Sequence, residues 1–141
     1  MDVPAYDPNN IFAKILRKEA PCHFICEDAD TFAFLDIMPR SDGHTLVIPK
    51  QPARNIFDAS PALLVPVIQM VGRIAIAARK AFNADGMTVM QFSEPAGGQI
   101  VFHLHMHVIP RYEGVAMRPP GIVADNAVLE RHAGKLRAAL G

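Results

Sequence analysis

The chain has 141 residues, half of them hydrophobic, and its 14 basic and 14 acidic side chains leave no net charge. That is apolar material enough for one core, expected as a single domain over 1–141, and too little net charge for a broad nucleic-acid or anionic-membrane footprint, so neither partner is expected. The polar start MDVPAYDPNN lacks a leader pattern and no apolar run is expected to cross a bilayer. Cys22 and Cys26 are too few for a disulfide scaffold, so a cytoplasmic chain with buried, reduced thiols on one face of a strand is expected.

Residues 10–19, NIFAKILRKE, read as a short amphipathic helix with Asn10 as N-cap and Ile11, Ile15 and Leu16 on one face, stopped at Ala20-Pro21. HFICED and TFAFLDI follow as strands joined by the turn-prone Glu27-Asp28-Ala29-Asp30, and HTLVIPK is a third strand after the turn PRSDG. Ser60-Pro61 starts a long helix to Phe82, in which Pro66 should bend the helix or delay its start, and Asn83-Ala84-Asp85-Gly86 ends it. MTVMQF is a fourth strand, SEPAGGQ a loop and VFHLHMHVI a fifth strand; Pro119-Pro120-Gly121 breaks the chain before a last helix over 126–140. Three strands joined by short turns make an antiparallel meander, so the class is α+β: a five-stranded antiparallel sheet with a long central helix, a short N-terminal helix and a C-terminal helix. The core spans 10–111, and 112–141 form a C-terminal loop and helix.

HLHMHVIPR, residues 103–111, holds three of the six histidines. Alternate residues of a strand face the same way, so His103, His105 and His107 line one face while Phe102, Leu104, Met106 and Val108 pack into the core. A row of imidazoles suits two chemistries. It can hold zinc, but no nearby carboxylate is placed to orient metal ligands. It can also attack a phosphate ester, one ring as nucleophile and a neighbour handling the proton. Ala96-Gly97-Gly98-Gln99, just before the row, offers an unobstructed backbone whose N–H groups could cradle phosphate oxygens.

With His-apolar-His-apolar-His after Gly-Gln, the chain resembles the histidine triad family of nucleotide hydrolases and transferases, nearest its small nucleoside phosphoramidase branch. IFAKILRKEAP, FICEDADTFAFLDIMPRSDGHTLVIPK and GGQIVFHLHMHVIPR carry the resemblance. It implies a homodimer that cleaves purine nucleotide conjugates at the α-phosphate of an AMP moiety without a cofactor. His105 is then the nucleophile, His107 assists the leaving group, His103 orients, and His44 supports the cluster. Asp36 would bind the ribose; Phe12, Ile15, Phe34 and Ile37 the base; Gly98 and Gln99 the phosphate. Ile100 stands where a hydroxyl residue is common, leaving only its backbone N–H. Phe92 and Ser93 stand where an Asn is common. Asn10 and Ala13 replace the two cysteines that hold a structural zinc in many bacterial members, so no metal is expected. The alternatives are hydrolysis of diadenosine polyphosphates, or a nucleotide-binding scaffold with weak turnover. His23 and His132 match nothing and are expected on the surface.

Overall fold

The computed structural model describes residues 2–141. Helix α1 is Ile11–Leu16, and Asn10 caps it by accepting the Ala13 N–H. Strands β1 (Phe24–Glu27), β2 (Thr31–Leu35) and β3 (Thr45–Pro49) form the meander. Helix α2 is Pro61–Phe82, followed by β4 (Gly86–Met90), a single 3₁₀ turn at Pro95–Gly97, β5 (Met106–Arg111) and α3 (Asn126–Leu140). The sheet is antiparallel throughout, in the order β1-β2-β3-β5-β4.

The period of two sorts the strands between two cores. Ala33 and Leu35 of β2, Val47 of β3 and Val108 of β5 face α2 and α3, where they meet Val67, Met70, Val71, Ile74, Leu129 and Leu136. Phe34, Leu46 and Ile48 point the other way, onto Phe12 and Ile15 of α1. The sheet thus carries a large helical layer on one face and only one short helix on the other. A functional cleft has room on that second face.

Several expectations are corrected here. Helix α2 begins at Pro61, so Pro66 does not delay its start: Ser60 accepts the Leu63 N–H and Pro61 suits the first helical position, while Pro66, inside the helix, gives the Ala62 carbonyl no N–H. Pro61–Ala81 is also long and apolar enough to cross a bilayer by composition, although one of its stripes is packed on the sheet. Cys22 and Cys26 do not share a face: the register shifts between Phe24 and Cys26, so Cys26 packs against Met70 while Cys22 joins the α1 side. Both thiols are free and half-buried. The fifth strand starts at Met106, not Val101. Its register with β3 would set Leu104 against Pro49, which has no N–H to give, and the Leu104 N–H turns instead to the Ala53 carbonyl at 2.8 Å. Phe102 also leaves the core: its ring lies 4.0 Å from the Arg54 guanidinium.

Gly43 precedes His44 in the turn that leads into β3. Its φ is +85°, and a Cβ there would lie 2.4 Å from the Phe82 ring. Both facts require glycine. Gly43→Ala is expected to cost about 1–3 kcal/mol of stability, read as a lower urea midpoint at unchanged m-value.

Candidate active site

The cleft on the α1 face has a volume of about 450 Å³. Phe12 and Ile15 from α1, Phe34 from β2 and the half-exposed Ile37 line one end of it, and His105, His107, Phe92 and Gly98 line the other. Phe12 touches both ends, meeting Phe34 edge-on at 5.3 Å between centroids and His105 at 4.9 Å. Ile100 is 85% exposed at the mouth. Among the described residues no Lys or Arg lines the cleft, and Asp36 is the one charged residue that does.

The histidines do not all face this space. His103 is fully buried behind it, with Nε2 2.9 Å from the Pro49 carbonyl and Nδ1 2.6 Å from the Tyr6 hydroxyl. His105 and His107 are the two that reach the cleft, their centroids 5.0 Å apart. The row therefore splits: two rings face the substrate space and the third braces the chain. The reason is the short β5, since His103 lies on the unpaired segment between the glycine loop and β5, where it and Leu104 bond to the Pro49 and Ala53 carbonyls.

Hydrogen-bond partners assign each ring its tautomer. Nδ1 of His105 lies 2.7 Å from the His103 carbonyl, so Nδ1 carries the proton and Nε2 keeps a lone pair. The Arg40 backbone N–H donates to Nδ1 of His44 at 3.0 Å, which puts the proton of His44 on Nε2. That Nε2–H donates to Nδ1 of His107 at 2.9 Å, leaving His107 with its proton on Nε2. A lone pair on His105 and an N–H on His107 thus sit side by side. Asp36 reaches the same cluster, with Oδ2 3.5 Å from Nε2 of His44 and 4.0 Å from Nδ1 of His107, while Oδ1 accepts the Met38 N–H.

Burial sets the electrostatics. It pushes His44 down to about 3 and His107 to about 4, in both cases helped by the neighbouring histidines and Arg40. Burial also takes His103 down to about 4 and lowers His105, against the pull of the carbonyls that accept from them. The same burial raises the Asp36 carboxyl. All four rings are neutral near pH 7, the form a nitrogen nucleophile needs.

The glycine loop is built differently from expectation. The N–H groups of Gly97, Gly98 and Gln99 are spent inside it, on the carbonyls of Glu94, Pro95 and Glu94. Gln99 is buried, and its amide accepts from the Asn55 side chain and the Glu94 N–H while donating to the carbonyls of Arg54 and Val101. Gln99 therefore shapes the loop and offers no free group to a phosphate. Asn55, buried and unremarkable in sequence, holds both Gln99 and Glu94, and Arg54 clamps Glu94 at 2.8 and 2.9 Å. Gly98, at φ +94°, stays in the cleft wall with the Phe92 ring below it. Phe92 also stands 5.3 Å from His107, so the position that lacks the common Asn carries an apolar wall. His23, expected merely on the surface, bridges to Asn126 and Glu130 of α3, and His132 meets the Phe82 ring edge-on.

Asp36, His44 and His107 bring candidate ligand atoms within 4.8 Å of one another. The direction of the hydrogen bonds disfavours a cation there. Nδ1 of His44 is committed to the Arg40 N–H, so its Nε2 carries the ring proton and has no lone pair to give.

A HIT domain family model matches residues 17–114. The chain is 36% identical over 103 residues to adenylylsulfatase HINT3 of Arabidopsis thaliana, covering 73% of this chain and 52% of that one, so it spans about half of that relative. A crystal structure of a Hit-like protein involved in cell-cycle regulation from Bartonella henselae, with an unknown ligand, superimposes at TM-score 0.93. It shares 54% identity and covers 96% of this chain and 99% of that one. A Zn-bound histidine triad family protein from Mycobacterium smegmatis superimposes at TM-score 0.82 with 36% identity, covering 94% and 93% of the two chains.

The lowered histidines make stability depend on pH. An unfolded histidine takes a proton below about 6.5, whereas His103 and His107 stay neutral down to about 4 and His44 to about 3. Stability is full above that upper limit and falls as pH drops, by about 1.4 kcal/mol per pH unit for each ring that titrates only when unfolded. The raised Asp36 opposes the loss, since its carboxyl takes a proton more readily in the folded chain. Urea midpoints should hold from pH 7.5 to about 6.5 and then fall toward pH 4, and His107→Asn should flatten the slope.

Proposed function

The chain belongs to the HIT domain family, a family of nucleotide hydrolases and transferases, and from that membership we propose that it hydrolyses nucleoside 5′-phosphoramidates or related purine nucleotide conjugates through a nucleotidyl-His105 intermediate. The observation that carries the reading is the pairing of tautomers: the lone pair of His105 Nε2 beside the Nε2–H of His107.

The base enters the apolar end between Phe12, Ile15, Phe34 and Ile37, with the ribose against Asp36 and the α-phosphate between the two rings. The lone pair of His105 Nε2 forms an N–P bond as the P–N bond to the amine breaks, and the amine leaves with that electron pair. The Nε2–H of His107 donates to an α-phosphate oxygen, its tautomer held by the His44 Nε2–H on Nδ1, and the departing nitrogen takes its proton from solvent water. Water then attacks phosphorus and gives up a proton to solvent, and the N–P bond breaks to restore His105. The carbonyl of His103 keeps its grip on Nδ1–H throughout and supports the positive charge that His105 gains.

The absence of Lys and Arg from the cleft lining supports a neutral leaving group over a polyphosphate. A diadenosine polyphosphate would place several charges against Phe92, Gly98 and Ile100 with no cation to meet them. Adenylyl sulfate, whose turnover the name of HINT3 records for that relative, shares the AMP half and loses only a small dianion.

The pairing of two copies is also proposed. Strand β4 is an open sheet edge with Val89 exposed, and Val65, Ile68, Gly72 and the 76%-exposed Ile76 form an apolar stripe on the outward side of α2. Edge pairing across a two-fold axis would cover both at once.

Adenosine phosphoramidate, adenylyl sulfate and diadenosine tetraphosphate, assayed side by side, should give the highest kcat/KM with the phosphoramidate and the lowest with the tetraphosphate. His105→Ala should abolish turnover and the acid-labile adenylyl adduct on the peptide containing 101–111, and a chelator should change neither. A tetraphosphate preference overturns the substrate assignment; turnover surviving in His105→Ala overturns the mechanism. Ile68→Glu combined with Ile76→Glu should halve the mass seen by light scattering.

A further inference from the structure

Asn10 and Ala13 stand where the resemblance expects zinc-binding cysteines, and neither is a ligand. Ala13 has no donor atom. Asn10 spends its side chain elsewhere: Oδ1 accepts the Ala13 N–H at 2.9 Å, and Nδ2 donates to the Asp7 carbonyl at 2.8 Å and to the Tyr6 hydroxyl at 2.9 Å. With its oxygen occupied by Asn10, Tyr6 points its own proton at Nδ1 of His103, 2.6 Å away. The direction is unambiguous, because Nε2 of His103 donates to the Pro49 carbonyl and Nδ1 is left as an acceptor. The two rings also meet edge-on, with centroids 5.6 Å apart.

We propose that Tyr6 is a positioning residue for the nucleophile, and that the clasp Asn10–Tyr6–His103 joins α1 to the catalytic segment without a metal. His103 does not face the cleft. What it gives the site is its backbone carbonyl, the acceptor that holds Nδ1–H of His105 at 2.7 Å. Residues 101–105 have no strand partner, so the ladder that fixes His107 does not fix that carbonyl. The Leu104 N–H, in the same peptide unit, ties that unit to the Ala53 carbonyl at 2.8 Å, and the His103 ring steadies the residue from its other side, anchored at both nitrogens: one to the end of β3, the other through Tyr6 to the cap of α1. The same helix carries Phe12 and Ile15, so one clasp sets the base slot and the nucleophile relative to each other.

Removing the Tyr6 hydroxyl leaves the buried Nδ1 of His103 without a donor. The ring can regain one only by turning or shifting, and the carbonyl moves with it. His105 then loses the bond that selects its tautomer, and the population with a proton on Nε2, useless for attack, grows.

Tyr6→Phe keeps the ring and removes only the hydroxyl. Asn10→Asp keeps the helix cap and draws the Tyr6 proton away from His103, so it serves as a second variant if the first folds poorly. In protein labelled with ¹⁵N-histidine, both should move the His105 Nδ1 and Nε2 shifts toward each other while the His44–His107 pair, which Tyr6 does not touch, stays put. The kinetic arm rests on the hydrolase reading: kcat should fall about tenfold with KM changing less than about twofold. Unchanged His105 shifts overturn the proposal, as does a uniform movement of all buried histidines. A wild-type protein that turns over none of the nucleotide substrates overturns the hydrolase reading instead, and the nitrogen shifts still decide the role of Tyr6.

Discussion

One hydrogen bond governs the site: Nδ1–H of His105 on the carbonyl of His103. Imidazole has two nitrogens, and only one can carry the lone pair in the neutral ring. By taking the proton on the inner side, the carbonyl leaves the outer nitrogen with a free lone pair, the feature that the proposed attack on phosphorus uses. Every other feature either supplies that bond or uses its result. The Pro49 carbonyl and Tyr6 fix the residue that accepts it, Phe12 packs against the ring that donates it, and the Arg40–His44–His107 series orients the neighbouring ring in the opposite sense.

The neutrality of the cluster follows from where it is built. One face of the sheet is sealed by α2 and α3, while α1 covers part of the other and leaves a cleft with mostly apolar walls. Four imidazoles in that setting cannot all be charged, and burial with mutual repulsion keeps them unprotonated. The cost is acid sensitivity. The gain is a set of uncharged nitrogens that an anionic substrate can polarise on arrival. The glycine loop contributes by shape: its N–H groups and Gln99 are occupied internally, and Asn55, Arg54 and Glu94 hold it against the cleft wall.

Local chemistry explains what was legible in the chain. Asn10, Ser60 and the apolar spacing after Pro61 mark helices that exist, and the meander follows from short turns between β-rich runs. His105, His107, Asp36, Phe12, Ile15, Phe34 and Ile37, singled out through the resemblance, line one cleft. Features that depend on distant partners were not legible. The early end of the β3–β5 ladder comes from Pro49 meeting Leu104, fifty-five positions along the chain. The opposite faces of Cys22 and Cys26 come from a bulge whose only local trace is a four-residue spacing. Tyr6 and Asn55 carry no motif at all, because their roles are defined by His103 and Gln99.

The sequence by itself determined the class of fold and the histidine-bearing segment, since these rest on periodicity, capping and turn chemistry that act within a few residues; the apolar slot came from the resemblance to the family. Tertiary structure alone decided which histidines face the cleft, which nitrogen of each carries the proton, and whether the Gln99 side chain is free or spent within the loop. Those outcomes depend on carbonyls and hydroxyls brought from elsewhere in the chain into a buried space, where an unpaired polar group is too costly to leave and each partner therefore dictates the state of the next.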